Sequence, residues 1–165
     1  MIDLIKNKLS FNLKTKGFAI VELLVVSFII SVAFFAITGA SQRSLSLSIK
    51  ALQMTQASFV LEEGVEAIKT IRDTDWTNIT SLTYDTPYYL SFSNGIWILS
   101  TTPSTGGSFT RTVQFKQVYR DGSDRIADTG TPDNKTYLVD VIVSWSSAGV
   151  TVSKNISFYI SDIFS

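Results

Sequence analysis

The chain contains no cysteine and no histidine. A disulfide framework and a thiolate metal site are therefore excluded, and a Cys or Ser nucleophile would be left without its usual imidazole base. Charge is scarce as well. Charged residues make up 17% of the 165 residues, against 45% apolar ones, where a soluble domain carries roughly 25% charge. Such a composition suits a chain with one part in an environment other than water. Formal net charge is zero, so no global basic field favours nucleic acid, and none is expected as a partner. No phosphate-binding glycine loop and no framed pair of acids is present, and the expectation is a protein that is not an enzyme and uses no cofactor.

Charge is balanced overall but not locally. Residues 1–17 carry Lys6, Lys8, Lys14 and Lys16 against Asp3 alone, and the remainder has a small acidic excess. A basic leader before a neutral-to-acidic body is a targeting pattern. Phe18 to Ala40 follows as FAIVELLVVSFIISVAFFAITGA, with Glu22 as its one charge. That run exceeds the ~20 residues that span a ~30 Å hydrocarbon core as a helix. It is longer than the roughly 7–15-residue apolar region of a secretory signal. It is expected to stay in the mature chain as an anchor, with the lysines holding residues 1–17 in the cytoplasm and the body outside. An acid in a membrane helix costs roughly 2.5–3.5 kcal/mol at the centre, and less near the interface. Glu22 therefore either snorkels to the interface or meets a cation from another chain or from a new amino terminus made by cutting nearby.

Lys16–Gly17–Phe18–Ala19–Ile20–Val21–Glu22–Leu23–Leu24–Val25–Val26 resembles the type IV prepilin cleavage and methylation motif, in which a basic residue, Gly and Phe are followed by Glu at the fifth position after the cut. Ala19 stands where Thr or Ser is frequent and Val21 where Ile is frequent. The resemblance implies a prepilin peptidase/methyltransferase as partner, cleavage between Gly17 and Phe18, N-methylation of Phe18, and pairing of Glu22 with the terminal amine of a neighbouring subunit. It further implies residence in the inner membrane before assembly with other pilin subunits into a filament. Leu61 to Asp73, followed by Trp76, more loosely resembles a stretch of PilV-like minor pilins. A pseudopilin of a type II secretion or DNA-uptake filament shares the same membrane motif. A single-pass receptor or adhesin that never polymerises is the alternative of a different kind.

Helical spacing continues past Ala40. One mainly apolar face runs Leu45, Ile49, Leu52, Gln56, Phe59, and a second, apolar line runs Met54, Ala57, Leu61, Val65, Ile68, Ile71. No proline lies between Phe18 and Thr86. A helix from Phe18 to about Asp73 would be ~84 Å long, with Gly39 and Gly64 as its expected weak points. Among its acids, Glu62 and Glu66 share a face with no His or Cys beside them, as on a solvated face. After Trp76 the period becomes 2. Asn94–Gly95 predicts a hairpin between Tyr88–Phe92 and Ile96–Thr101. A strand is expected near Phe109–Tyr119 with Val113, Phe115 and Val118 inward, then a long loop from Asp121 to Thr136. A second hairpin, Tyr137–Trp145 with Val150–Ile160, is expected to turn at Ser147–Ala148–Gly149. Alternation assigns the body's aromatics to packing rather than to a binding stripe. Asp121, Asp124, Asp128 and Asp133 supply oxygens that would suit Ca²⁺, without EF-hand spacing.

The expected organisation is a leader (1–17), a membrane helix (18–40), its extension outside the membrane (41–75) and a body (76–165). The expected fold is α+β and pilin-like: a long N-terminal helix on an antiparallel sheet of four to five strands.

Overall fold

The structure, a computed structural model, describes residues 16–103 and 107–163, with side chains from Phe18 onward. Most of the leader lies outside the described residues. The chain has eight elements: α1 (Lys16–Thr74), α2 (Thr77–Thr80), β1 (Tyr88–Ser93), β2 (Ile96–Ser100), β3 (Phe109–Arg120), β4 (Ile126–Ala127), β5 (Thr131–Ser147) and β6 (Val150–Ser161). They divide into two compact units, residues 1–49 and 50–165, and α1 supplies residues to both.

In the first unit α1 exposes every described side chain except Thr38, which is half-buried. Nothing in this unit covers its apolar surface. Phe18–Thr74 is long and apolar enough to cross a membrane.

The second unit is α+β. Its antiparallel sheet runs β2-β1-β3-β5-β6, with the two-residue β4 paired to β3. The five main strands match the expected layout, and β4 adds a short sixth. Both hairpins turn on two residues with positive φ: Asn94 (53°) with Gly95 (81°), and Ala148 (53°) with Gly149 (79°). Positive φ at both central residues gives the turn whose twist matches a strand pair. Ala148 is the one that costs, because a Cβ opposes the left-handed conformation by about 1–2 kcal/mol.

Alternation sets the faces. On β3, Val113, Phe115 and Val118 are buried as expected; on β5, Tyr137, Val139, Val141, Val143 and Trp145 point the same way. Helix α1 closes this face with Ala57, Leu61, Ala67, Ile68 and Ile71, so helix and sheet share one core. The second apolar line of the helix thus finds its partner, while Val65 is only partly buried and Met54 stays exposed. The first line does not. Leu45 and Ile49 in one unit, and Leu52 and Phe59 in the other, are all exposed.

The expectation for Asp121 to Thr136 is corrected. This segment holds β4 and the first six residues of β5. Its pairing shifts register between Gln117 and Val118: Gln117 faces Tyr137, whereas Val118 faces Asp133. The Gln117 side-chain amide donates to the carbonyls of Val118 (3.1 Å) and Asp133 (2.9 Å), satisfying backbone at the irregularity. Arg120 then bridges to the Asp133 carboxylate at 2.7 Å. The strand is polar because much of it is exposed, and polar composition without alternation reads as loop.

Gly39 and Gly64 of α1 differ from expectation too. The helix runs without interruption through both. Gly64 is a place of close approach: a Cβ there would lie 2.9 Å from Arg111 Cδ and 2.9 Å from Val141 Cγ1. Gly39 has nothing within 4 Å. The same substitution should therefore act in opposite directions. Gly39→Ala should stabilise the helix by up to about 1 kcal/mol through propensity alone. Gly64→Ala should cost about 1–2 kcal/mol net, overpacking outweighing that gain. Denaturant titration in detergent followed by far-ultraviolet circular dichroism checks both signs.

Candidate functional site

Polar side chains in an apolar helix must find partners, since burial without one costs about 1–3 kcal/mol or more each. Between Phe18 and Ala40 there are four: Glu22, Ser27, Ser31 and Thr38. The three hydroxyls donate back to their own helix. Ser27 Oγ reaches the Leu24 carbonyl at 2.9 Å, Ser31 Oγ the Ser27 carbonyl at 2.8 Å, and Thr38 Oγ1 the Phe34 and Phe35 carbonyls at 3.1 and 3.0 Å. This back-bonding is how Ser and Thr enter an apolar helix without an outside partner. Glu22 has no hydrogen bond or ion pair among the described residues, and it is exposed.

Phe18 is 82% exposed, one helical turn before Glu22. The Gly17–Phe18 bond lies in the first turn of α1. Glycine there weakens the helix by about 1 kcal/mol. The three residues singled out from the motif, Gly17, Phe18 and Glu22, thus sit together at the start of the exposed apolar helix.

The acids of the second unit have local roles. Glu66 pairs with Lys69 at 2.8 Å and Arg72 with Asp73 at 2.7 Å. Asp75 accepts the Thr77 amide at 2.9 Å, which starts α2 and holds the Asp75 carboxyl below its usual range. Asp121 accepts the amides of Ser123 and Arg125 at 2.8 and 3.0 Å, closing the turn into β4. Arg120 lies within 2.7 Å of Asp133 and 3.6 Å of Asp124, so a guanidinium stands where the oxygens would gather round Ca²⁺. Among the described residues no group of three or more His, Cys, Asp or Glu could hold a metal ion. On the outer sheet face Asp140 accepts from Lys116 at 2.6 Å and from Ser157, joining three strands.

The aromatics expected to pack divide in two. Trp145, Tyr88 and Tyr137 are buried, and Tyr137 stacks on Tyr84 at 5.4 Å and meets Trp76 edge-on at 5.6 Å. Tyr159 is exposed. A cleft of about 530 Å³ lies between the end of α1 and the β1–β2 hairpin, with Thr70, Thr74, Asn78 and Trp97 in its wall; no titratable side chain lines it.

Arg111 is the side chain that sequence reading passed over. It points inward from β3, donates to the Val60 carbonyl at 3.0 Å, pairs with Glu63 at 3.2 Å and lies 5.2 Å from the centre of the Trp97 ring. Its Nε has no partner among the described residues. The signal was available: Phe109, Arg111, Val113 and Phe115 alternate on one face.

Comparison of the chain with protein-family models, with curated proteins and with solved structures gives no match.

Burial pushes the Asp133 carboxyl up, but the Lys135 amide, Arg120 and Thr136 outweigh it, and the group is held below its ordinary value of 3.8. Such a depressed group stabilises the fold at neutral pH, and its contribution is lost as pH falls below about 3.8 through the lower folded value. Asp133→Asn should therefore lower stability at pH 7 and flatten the acid limb of the stability profile. Thermal melts from pH 7 to pH 2 measure both.

Proposed function

We propose that this chain is a type IV pilin-like subunit, made as a precursor, anchored in the inner membrane by α1 and assembled through that helix into a filament outside the cytoplasm. The observation that carries this reading is Glu22. Between Phe18 and Ala40, where all three hydroxyls bond to their own helix, it alone among the polar side chains has no partner among the described residues.

The chemistry follows from the motif. The N-terminal lysines hold the precursor with residues 1–17 in the cytoplasm. Hydrolysis of the Gly17–Phe18 peptide bond by a prepilin peptidase releases the leader and exposes the amine of Phe18. N-methylation keeps that amine positive. In a filament the amine neutralises Glu22 of a neighbouring copy. Between apolar helices an unpaired carboxylate is costly, so a subunit seated out of register is disfavoured. The exposed apolar surface of α1 serves first against lipid and then against other helices, and the sheet leaves the Leu52 and Phe59 side free for such contacts.

The Leu61 to Asp73 stretch favours a minor pilin within this reading. A pseudopilin would use the same helix, and a receptor that never polymerises would keep its leader and not require Glu22.

Intact mass spectrometry of the membrane-extracted protein from its native host provides the test. The expected species begins at Phe18 and carries one added methyl group. A full-length species with residues 1–17 attached would make the anchored receptor the better account. Glu22→Ala should insert and be processed, yet enter filaments poorly; normal incorporation in sheared filaments would remove the register role.

A further inference from the structure

In the first unit the described side chains include two charges, Glu22 and Arg43, of opposite sign. Both are exposed, and neither has an ion-pair partner among the described residues. They lie 21 residues apart on a continuous helix, which is about 31 Å at 1.5 Å per residue. That distance is far beyond the reach of the two side chains, so they cannot pair within one copy.

We propose that a second copy of this chain packs parallel to the first, displaced along the helix axis by 21 residues, so that Glu22 of one copy pairs with Arg43 of the other. The inference rests on the filament-subunit reading and adds the register of a second neighbour, beside the one whose Phe18 amine meets Glu22. Charge complementarity is the first argument. The pair gives Arg43 a counter-charge in an otherwise apolar contact and adds a second cation to Glu22. Guanidinium suits this position because it stays ionised in apolar surroundings and can offer a carboxylate two parallel hydrogen bonds.

Shape is the second argument. The displacement lays the bulky run Phe18–Phe28 of one copy beside residues 39–49 of the other. There Gly39 and Ala40, one turn before Arg43 on its own side of the helix, keep the surface low, and Leu47, one turn after it, is exposed for apolar contact. Lys50 is the next cation along the chain, but it needs a displacement of 28 residues, roughly 42 Å, and it already lines a groove with Trp145 and Val152 in the second unit. An antiparallel pair would also match charges, but copies inserted behind the same basic leader share one orientation.

The pairing depends on height. Two copies seated level in a bilayer place Glu22 beside Glu22, with a hydrocarbon core of about 30 Å between it and the neighbour's Arg43. The pair forms only once one copy has risen by about the thickness of that core. It is therefore a contact of the assembled filament and not of the membrane pool. With the Phe18 amine of one neighbour and Arg43 of another, Glu22 then lies between two cations.

The chain has no cysteine, so introduced pairs can be read without background. Val25→Cys in one tagged copy and Leu47→Cys in another keep both charges and flank the Glu22–Arg43 pair on the same side of the helix seam, within one residue of the proposed register. They are co-expressed with the unaltered chain in the native host and oxidised, and filament and membrane fractions are compared. This pair should cross-link about tenfold more than Val25→Cys with Ala40→Cys or with Met54→Cys, each seven residues from Leu47 on the same face, a difference set by register alone. It should do so in filaments and not in membranes. Dominance of either control pair, or equal cross-linking in the membrane fraction, would overturn the register while leaving the filament reading intact. Arg43→Gln should reduce incorporation, with partial recovery in Arg43→Lys; unchanged incorporation of Arg43→Gln would also overturn the pairing. A chain that keeps its leader and forms no filament would overturn the filament reading, and this inference with it.

Discussion

A small antiparallel sheet cannot stand alone in water, because one face must be buried and its own strands cannot bury it. In this chain the cover is a single stripe of α1, from Ala57 to Ile71, laid on the inward residues of β3 and β5. The other features of the second unit depend on that contact. Gly64 lets Val141 and Arg111 come close to the helix. Arg111 fills the space beside it and spends its hydrogen bonds on the helix, at Val60 and Glu63. Lys154 reaches Ser58 from the edge strand, and Ser147 reaches Gln53 from the hairpin. A helix holding a sheet on one side leaves its other side uncovered, and there Leu52 and Phe59 are exposed ahead of the charged Glu62 and Glu66.

Much of this was legible in the residues. The change from period 3.6 to period 2 after Trp76 located the end of the helix, because a helix face and a strand face demand different spacings from the same apolar residues. Asn94–Gly95 and Ala148–Gly149 marked both hairpins, since few residue pairs accept positive φ at both positions. Val113 and Phe115 were placed inward by alternation alone. The segment from Asp121 to Thr136 was not legible. Its strands are held by side chains bonding to backbone across the register shift at Gln117, and such bonds leave no periodic trace in sequence. Gly64 misled for a similar reason. Local propensity marks it as a weak point, whereas its cause lies in residues 47 and 77 positions away that only folding brings near.

The candidate site divides along the same line. Glu22 stood out because one charge in a long apolar run is visible in any reading of the chain. What the sequence could not display is that Ser27, Ser31 and Thr38 all turn inward on their own helix, so that Glu22 differs in kind from the other polar residues around it. Arg43, just beyond the apolar run, has no distinguishing signal in the sequence. Its interest comes from its distance to Glu22 along a rigid rod, a relation that exists only once the helix is known to be unbroken.

The inward hydroxyls have a further consequence. A helix whose hydroxyls bond to its own carbonyls makes no polar demand on its surroundings. It can exchange one apolar medium for another without breaking or remaking any of those bonds, and the transfer is close to athermal for that part of the surface. Ser27, Ser31 and Thr38 thus make the helix indifferent to what surrounds it. Between Phe18 and Ala40 Glu22 alone still requires a partner from its surroundings, so that requirement is concentrated in a single carboxylate.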